Sequence, residues 1–417
     1  MYKIVAWSRK RFGFDTAYAL QGGFYLGLNQ TINIIKGIII VALIARMLTR
    51  EEYGLYKYAL SFFGIAGVFG LTGITTAVSA AVAKSEYGMI AQGIKKAFAW
   101  SGVGACVLGI AGLWFWRTED TVLAYSLFLS AIIFPLSVPS GFYSAIEVGM
   151  KRFSRLCAVN GISSVLIIVS VVLIGKIGPT IPGLVFATLG VPVLVQLAFT
   201  WYVVRTLRFL KKEKDTQNMR YGYHQSAIDA LGSVASYFDV LAIPNILGPA
   251  ALAQYSIANT IPGQSKSLGK IAGSLIFPKL SQHDPAFSWH MLKKFLWKFV
   301  ILGTILGALL ALITPFLIGI VFSHAYDDVI PYAQMITVAM GISLPSIFIH
   351  NYFQSQLMHR PLYQLNVIYI AVRIISFSIL TPLYGVGGAA CAESLYRVVG
   401  MIASAGAFYA YRPKYNK

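Results

Sequence analysis

The stretch RTLRFLKKEKDTQNMRYGY, Arg205 to Tyr223, is the longest polar run in the chain and falls at its midpoint. Eight of its nineteen residues are charged, against 12% charged residues overall. On either side the sequence reads as long apolar blocks with short polar gaps. Crossing about 30 Å of hydrocarbon takes about 20 mostly apolar helical residues, and the blocks have that length. Six precede the polar run: Gly22–Ala45, Leu55–Ala83, Ala97–Trp116, Val122–Ile146, Leu156–Gly175 and Ile181–Val204. Six follow it: Ser226–Leu247, Leu252–Leu280, Phe295–Phe322, Val329–Leu357, Leu362–Leu383 and Val386–Tyr409. The seventh and eighth are interrupted by Asp229, Asp239, Lys266 and Lys270. The predicted fold is therefore an all-α integral membrane protein of about 12 transmembrane helices in two six-helix lobes. Its expected divisions are an N-terminal lobe over 1–207, a linker over 208–224 and a C-terminal lobe over 225–417.

Composition agrees. Hydrophobic residues make up 57% of the 417 and the mean hydropathy is +0.68, beyond the roughly 45–50% apolar content of soluble domains. The net charge of +19 raises the question of nucleic acid, which its distribution answers. A nucleic-acid footprint clusters on one folded surface, whereas here Lys and Arg fill alternate gaps between apolar blocks. With the N-terminus placed in the cytoplasm, 24 of the 34 Lys and Arg fall on the cytoplasmic side, five on the other, and five inside spans. That is the positive-inside pattern. It predicts a multi-pass protein of the cytoplasmic membrane with both termini in the cytoplasm. Cys106, Cys157 and Cys391 are odd in number and form no CxxC, so neither a disulfide framework nor a zinc site is expected.

The two halves echo each other. LTREEYGLYKYA (Leu48–Ala59) aligns with LGPAALAQYSIA (Leu247–Ala258) at an offset of 199, and KKAFAW (Lys95–Trp100) with KKFLW (Lys293–Trp297). Pro139 and Pro345 occupy corresponding spans. Two pseudo-symmetric halves are a recurrent transporter plan, with substrate bound at the repeat interface.

On these residues the chain resembles the Wzx-like polysaccharide flippases of the MOP (multidrug/oligosaccharidyl-lipid/polysaccharide) superfamily. The segment Leu43–Lys84 carries the family's Thr turn (Thr49), acidic pair (Glu51, Glu52), Tyr-Gly-x-Tyr (Tyr53 to Tyr56) and a GL-x-TAV-like stretch (Gly73 to Val78). YGVGGAACAES (Tyr384–Ser394) is similar to the start of the family's last helix, and IGPTIPGLVFA (Ile177–Ala187) is a looser counterpart. The resemblance implies a MATE-like fold and transport of an isoprenoid-pyrophosphate-linked oligosaccharide by alternating access, as a step in polysaccharide synthesis. It implies no cofactor, no metal and no catalytic residue. Implied partners are the lipid-linked substrate, membrane lipids and other polysaccharide assembly proteins. One departure is that the second span has no cation between Lys57 and Lys84, where some relatives place arginines.

Candidate site residues follow from the cost of burying charge in lipid, roughly 2.5–3.5 kcal/mol on insertion scales. Asn29, Asn33 and Lys36 share one helical face at i, i+4 and i+7. Lys266 and Lys270 are i, i+4 neighbours that repel unless an anion lies between them. Asn366 and Arg373 share a face at i, i+7. Together these form a basic lining able to receive a pyrophosphate through charge-assisted hydrogen bonds; snorkelling to the interface is the plainer alternative for the lysines. Asp229 and Asp239 are candidates to carry a coupling ion or proton, or else to neutralise cations. Glu393 and Arg397, at i, i+4, are expected to pair, and Glu147 to lie beside Lys151 at the cytoplasmic edge. His350 reads as a packed histidine. Two motifs are set aside. GQSKSLGK (Gly263–Lys270) has the wrong spacing for a P-loop, and GVGGAA (Gly385–Ala390) lies between apolar spans rather than in a βαβ unit.

Two alternatives remain at this stage. A multidrug exporter of the same superfamily would want a net acidic cavity for cationic drugs. A polysaccharide polymerase or ligase would want a long outer loop with catalytic residues, and no outer gap exceeds about a dozen residues.

Overall fold

The computed structural model describes residues 16–413, except 208–215, 266–268, 270–279, 281–283, 323 and 357. Among the described residues the secondary structure is helical throughout, with no strand. The helices are α1 (Thr16–Met47), α2 (Arg50–Ala66), α3 (Thr72–Ala83), α4 (Gly88–Arg117), α5 (Thr121–Gly149), α6 (Phe153–Ile177) and α7 (Ile181–Leu207). Then come α8 (Thr216–Leu247), α9 (Pro249–Ala258), α10 (Pro285–Phe322), α11 (Ile330–Ser343), α12 (Ser346–Ser355) and α13 (His359–Ala410).

Eight described helices are long and apolar enough to cross a membrane, or nine with α2 and α3 taken as one span bent by 53°. The 52-residue α13 breaks at Gly385, whose φ of 60° and ψ of −139° are not helical. Counted as two it gives the expected eleventh and twelfth spans. The seventh expected span falls on α8, and the eighth begins on the ten-residue α9 and runs on past 265 largely outside the described residues; neither is among the helices long and apolar enough to cross.

The chain forms two compact units. The first comprises 1–43 and 62–233, the second 44–61 and 234–417. The second unit thus takes the end of α1 and most of α2, and α8 changes unit near its middle. The expected lobe boundaries at 207 and 225 do not capture that exchange.

Each unit is held by close helix approaches, as expected where lipid tails are as apolar as the side chains and small residues must admit neighbouring backbones. In the first unit a Cβ on Gly73 would lie 2.4 Å from the Ser226 nitrogen, and one on Gly149 2.6 Å from the Ser79 oxygen. Its core joins Ile74, Val78 and Val82 of α3 to Phe142 and Ile146 of α5. In the second unit α10 and α11 cross at Gly303, Gly307 and Gly341, a Cβ on Gly303 meeting the Gly341 oxygen at 2.5 Å. Trp289 stacks on Phe408 at 5.4 Å and donates its Nε1–H to the Phe408 carbonyl at 3.0 Å.

The sequence motifs of Leu43–Lys84 are joints of the fold. Thr49 and Glu52 form a capping box at the start of α2 (Thr49 N to Glu52 Oε2, 2.8 Å; Glu52 N to Thr49 Oγ1, 3.3 Å), which satisfies two amides left open at a helix start. Gly54 lets α2 touch α9: a Cβ there would fall 1.8 Å from the Pro249 oxygen. Arg50 grips Asp328 with two 2.9 Å contacts, and Arg46 donates to the Val321 carbonyl (3.0 Å) at the end of α10.

Candidate functional site

In the second unit four charged side chains meet inside the helix bundle. Asp239 comes from α8, where DVLAIP departs from the apolar pattern; Arg373, Glu393 and Arg397 come from the two arms of α13. The Arg373 guanidinium lies 2.9 Å from Asp239 Oδ2 and 3.6 Å from Glu393 Oε2. Arg397 binds Glu393 Oε1 at 2.6 Å, the expected i, i+4 pair. Tyr255 of α9 donates to Asp239 Oδ2 at 2.7 Å, and Arg397 donates to Asn259 Oδ1 at 3.2 Å. Arg373 also sits over the Tyr396 ring at 5.0 Å. Asp239 and Glu393 are each 2% exposed and Arg373 9%. Two anions and two cations thus balance in a buried cluster, with Asp239 Oδ1 left without a protein partner among the described residues.

In the first unit the polar face of α1 is present and half-buried. Asn29 accepts a hydrogen bond from Asn160 of α6 at 2.9 Å, and Lys36 donates to Asn33 Oδ1 at 2.9 Å. No carboxylate stands within ion-pair distance of Lys36 among the described residues.

One further cation in a membrane-spanning helix is uncompensated. Lys57 of α2, in the second unit, is half-buried, and its Nζ lies 5.4 Å from the Tyr53 ring centroid. Among the described residues it has no carboxylate partner. The sequence reading placed it at the outer edge and did not count it as a site residue; its i, i+4 relation to Tyr53 was the available signal.

The structure does not join Asn366 to Arg373. Asn366 is exposed, while Arg373, two turns on, is buried against Asp239 and Glu393. Lys266 and Lys270 lie outside the described residues, as does the Asp229 side chain. Glu147 is fully buried, with neither carboxylate oxygen hydrogen-bonded among the described residues. It stands in the last turn of α5, two residues before its end at Gly149, as the sequence suggested, but packed inside the protein. His350 packs as expected, stacked on Tyr369 at 5.7 Å with Nδ1 3.1 Å from the Ser346 carbonyl oxygen. Tyr255 and Asn259 were not anticipated, although Tyr255 stands opposite Tyr56 in the repeat.

This geometry holds a balanced set of charges inside apolar helices. The solved structures it resembles are transporters. A lipid II flippase MurJ in an inward closed conformation aligns with a TM-score of 0.68 over 94% of this chain and 90% of that one, at 14% identity. An inward-facing multidrug resistance MATE family transporter of the MOP superfamily aligns at 0.63 over 93% and 98%, at 15% identity. An outward-facing one aligns at 0.60 over 95% and 96%, at 13% identity. No curated protein sequence matches the chain. The chain belongs to the polysaccharide biosynthesis protein family, whose pattern matches residues 19–284. It is a multi-pass membrane protein with the fold of those MOP superfamily structures.

Proposed function

We propose that this protein moves an isoprenoid-pyrophosphate-linked oligosaccharide across the cytoplasmic membrane, by alternating access, for polysaccharide assembly. Both termini face the cytoplasm in this reading, as the charge asymmetry of the loops requires. The observation that carries it is the contrast between paired and unpaired cations. Arg373 and Arg397 are neutralised by Asp239 and Glu393, while Lys36 and Lys57 have no carboxylate beside them among the described residues. A cation kept unpaired among membrane helices attracts an anion, and a pyrophosphate offers one with several acceptor oxygens. A site for cationic drugs would need the opposite balance.

In this mechanism Lys36, with Asn33 and Asn29 around it, offers donors to a diphosphate in the first unit, and Lys57 is a separate cation of the second unit suited to the same kind of group. Lys266 and Lys270, outside the described residues, are proposed from the sequence alone as further cations for the diphosphate. The Asp239–Arg373–Glu393–Arg397 cluster is the coupling element. A proton delivered to Asp239 removes one anion from a balanced set, weakens its hold on Arg373 and frees that guanidinium to rearrange; Asp229 does not take part. The test is flipping of a polyprenyl-pyrophosphate-linked oligosaccharide by the purified chain in proteoliposomes. Lys36→Ala and Lys57→Ala are expected to slow flipping at least about tenfold, the loss of one charge-assisted contact, with the Lys→Arg variants milder. A parent protein that exports cationic dyes but does not flip the glycolipid refutes the proposal and favours the multidrug reading.

A further inference from the structure

The repeated Lys-Lys-aromatic-Trp motif plays no part in the proposed transport path, yet it recurs in both units. We infer that each copy is a binding site for the phosphate headgroup of an anionic phospholipid in the leaflet that these helix ends reach.

Helix length sets the position. At about 1.5 Å per residue, the 38 residues of α10 extend about 57 Å, well beyond a hydrocarbon core of about 30 Å. The apolar run from Phe299 to Phe322 is long enough to fill the core. Lys293, Lys294 and Lys298 then fall at or just outside its boundary, where headgroup phosphates lie. The 30-residue α4 repeats the arrangement: its run from Ala97 to Trp116 fills the core and leaves Lys95 and Lys96 at the boundary.

The side chains suit a phosphate. Lys293, Lys294 and Lys298 are exposed, as are Lys95 and Lys96, and none has a carboxylate at ion-pair distance among the described residues. Aromatic rings hold the cations near the interface. Lys293 lies 5.0 Å from the Trp289 ring centroid, Lys298 lies 5.6 Å from Phe295 and 5.7 Å from Trp297, and Lys96 lies 5.4 Å from Tyr223. Trp297 is 59% exposed and Trp100 49%, although a buried position would suit either ring in a protein core. Exposed indole beside unpaired lysine matches the amphipathic zone between acyl chain and headgroup. Basic clusters at that depth attract anionic lipid. A protein partner is a poorer fit, because the same face continues into the exposed apolar side of α10 at Ile301, Leu302 and Ile305, which needs acyl chains against it.

The purified full chain in detergent is titrated with phosphatidylglycerol, phosphatidylcholine or polyprenyl monophosphate, and bound lipid is counted by native mass spectrometry. Two phosphatidylglycerol molecules per chain are expected to survive where phosphatidylcholine does not. Lys293→Gln with Lys294→Gln and Lys298→Gln is expected to remove one of them, and Lys95→Gln with Lys96→Gln the other, each with binding weakened about tenfold or more. Lys176→Gln, at the opposite end of α6, is expected to leave both. All substituted lysines are exposed, and an unchanged unfolding temperature confirms that each variant is folded. Equal retention of phosphatidylglycerol by the five-lysine variant and the parent overturns the inference, as does equal retention of phosphatidylcholine. Displacement of phosphatidylglycerol by polyprenyl monophosphate at equal concentration overturns it too, assigning the sites to the carrier lipid.

Discussion

Replacing Arg373 with Met tests whether the buried cluster is a balanced network. The substitution keeps most of the side-chain volume and removes the charge that separates two carboxylates, each 2% exposed. Asp239 loses its 2.9 Å ion pair and keeps only Tyr255 as donor, while Glu393 retains Arg397 at 2.6 Å. Stranding one member of a buried pair costs about 3–5 kcal/mol. For units of this size, at about 2–4 °C per kcal/mol, the unfolding temperature should fall by roughly 10 °C. Asp239→Leu alone should cost less, because Arg373 still faces Glu393 at 3.6 Å. The double variant leaves Glu393–Arg397 as a complete pair. It should recover most of the loss, to within about 1–2 kcal/mol of the parent, the residue being the orphaned Tyr255 hydroxyl. The assay is a double-mutant cycle on purified protein in detergent, read by unfolding temperature and denaturant midpoint. An Arg373→Met variant as stable as the parent, or a double variant no better than the worse single one, refutes the network.

Three further outcomes are expected. Asp239→Asn should abolish the dependence of glycolipid flipping on an imposed pH gradient while Asp229→Asn keeps it; equal gradient dependence in Asp239→Asn and the parent removes Asp239 as the coupling residue, and a gradient-independent parent dismisses proton coupling. Gly54→Ala should lower the yield of folded protein and cost at least about 1–3 kcal/mol, because its Cβ meets the Pro249 oxygen and the helices must separate; Gly102→Ala, with nothing within 4 Å, should be silent in the same thermal assay. Gly385→Ala should cost about 1–3 kcal/mol from backbone strain alone, since its φ of 60° suits glycine and no atom lies within 4 Å of the new Cβ; a melting temperature equal to the parent's would show that the break moves elsewhere.

The sequence alone determined that the chain crosses a membrane many times, where most of its spans lie and which family it belongs to. Those properties rest on local quantities: the length of apolar runs, the alternation of Lys and Arg between gaps, and short motifs such as Thr49 to Tyr56 whose caps and close approaches act within a few residues or one helix contact. It also located the charges of the buried cluster, Asp239, Arg373, Glu393 and Arg397, because a charge in an apolar run is conspicuous wherever it ends up, although it passed over Lys57. Only the tertiary structure decided what those charges meet. Arg373 and Lys36 look alike in sequence, each a lone cation in an apolar helix, yet one faces Asp239 and Glu393 and the other a single asparagine. Asp239 and Glu393 are 154 residues apart, and no periodicity reports that both approach the same guanidinium. The exchange of 44–61 into the second unit was equally hidden, since hydropathy measures how apolar a helix is but not which helices it packs against. Partner choice is set by long-range packing at glycines such as Gly54 and Gly73, and a glycine in sequence does not name the backbone that will approach it.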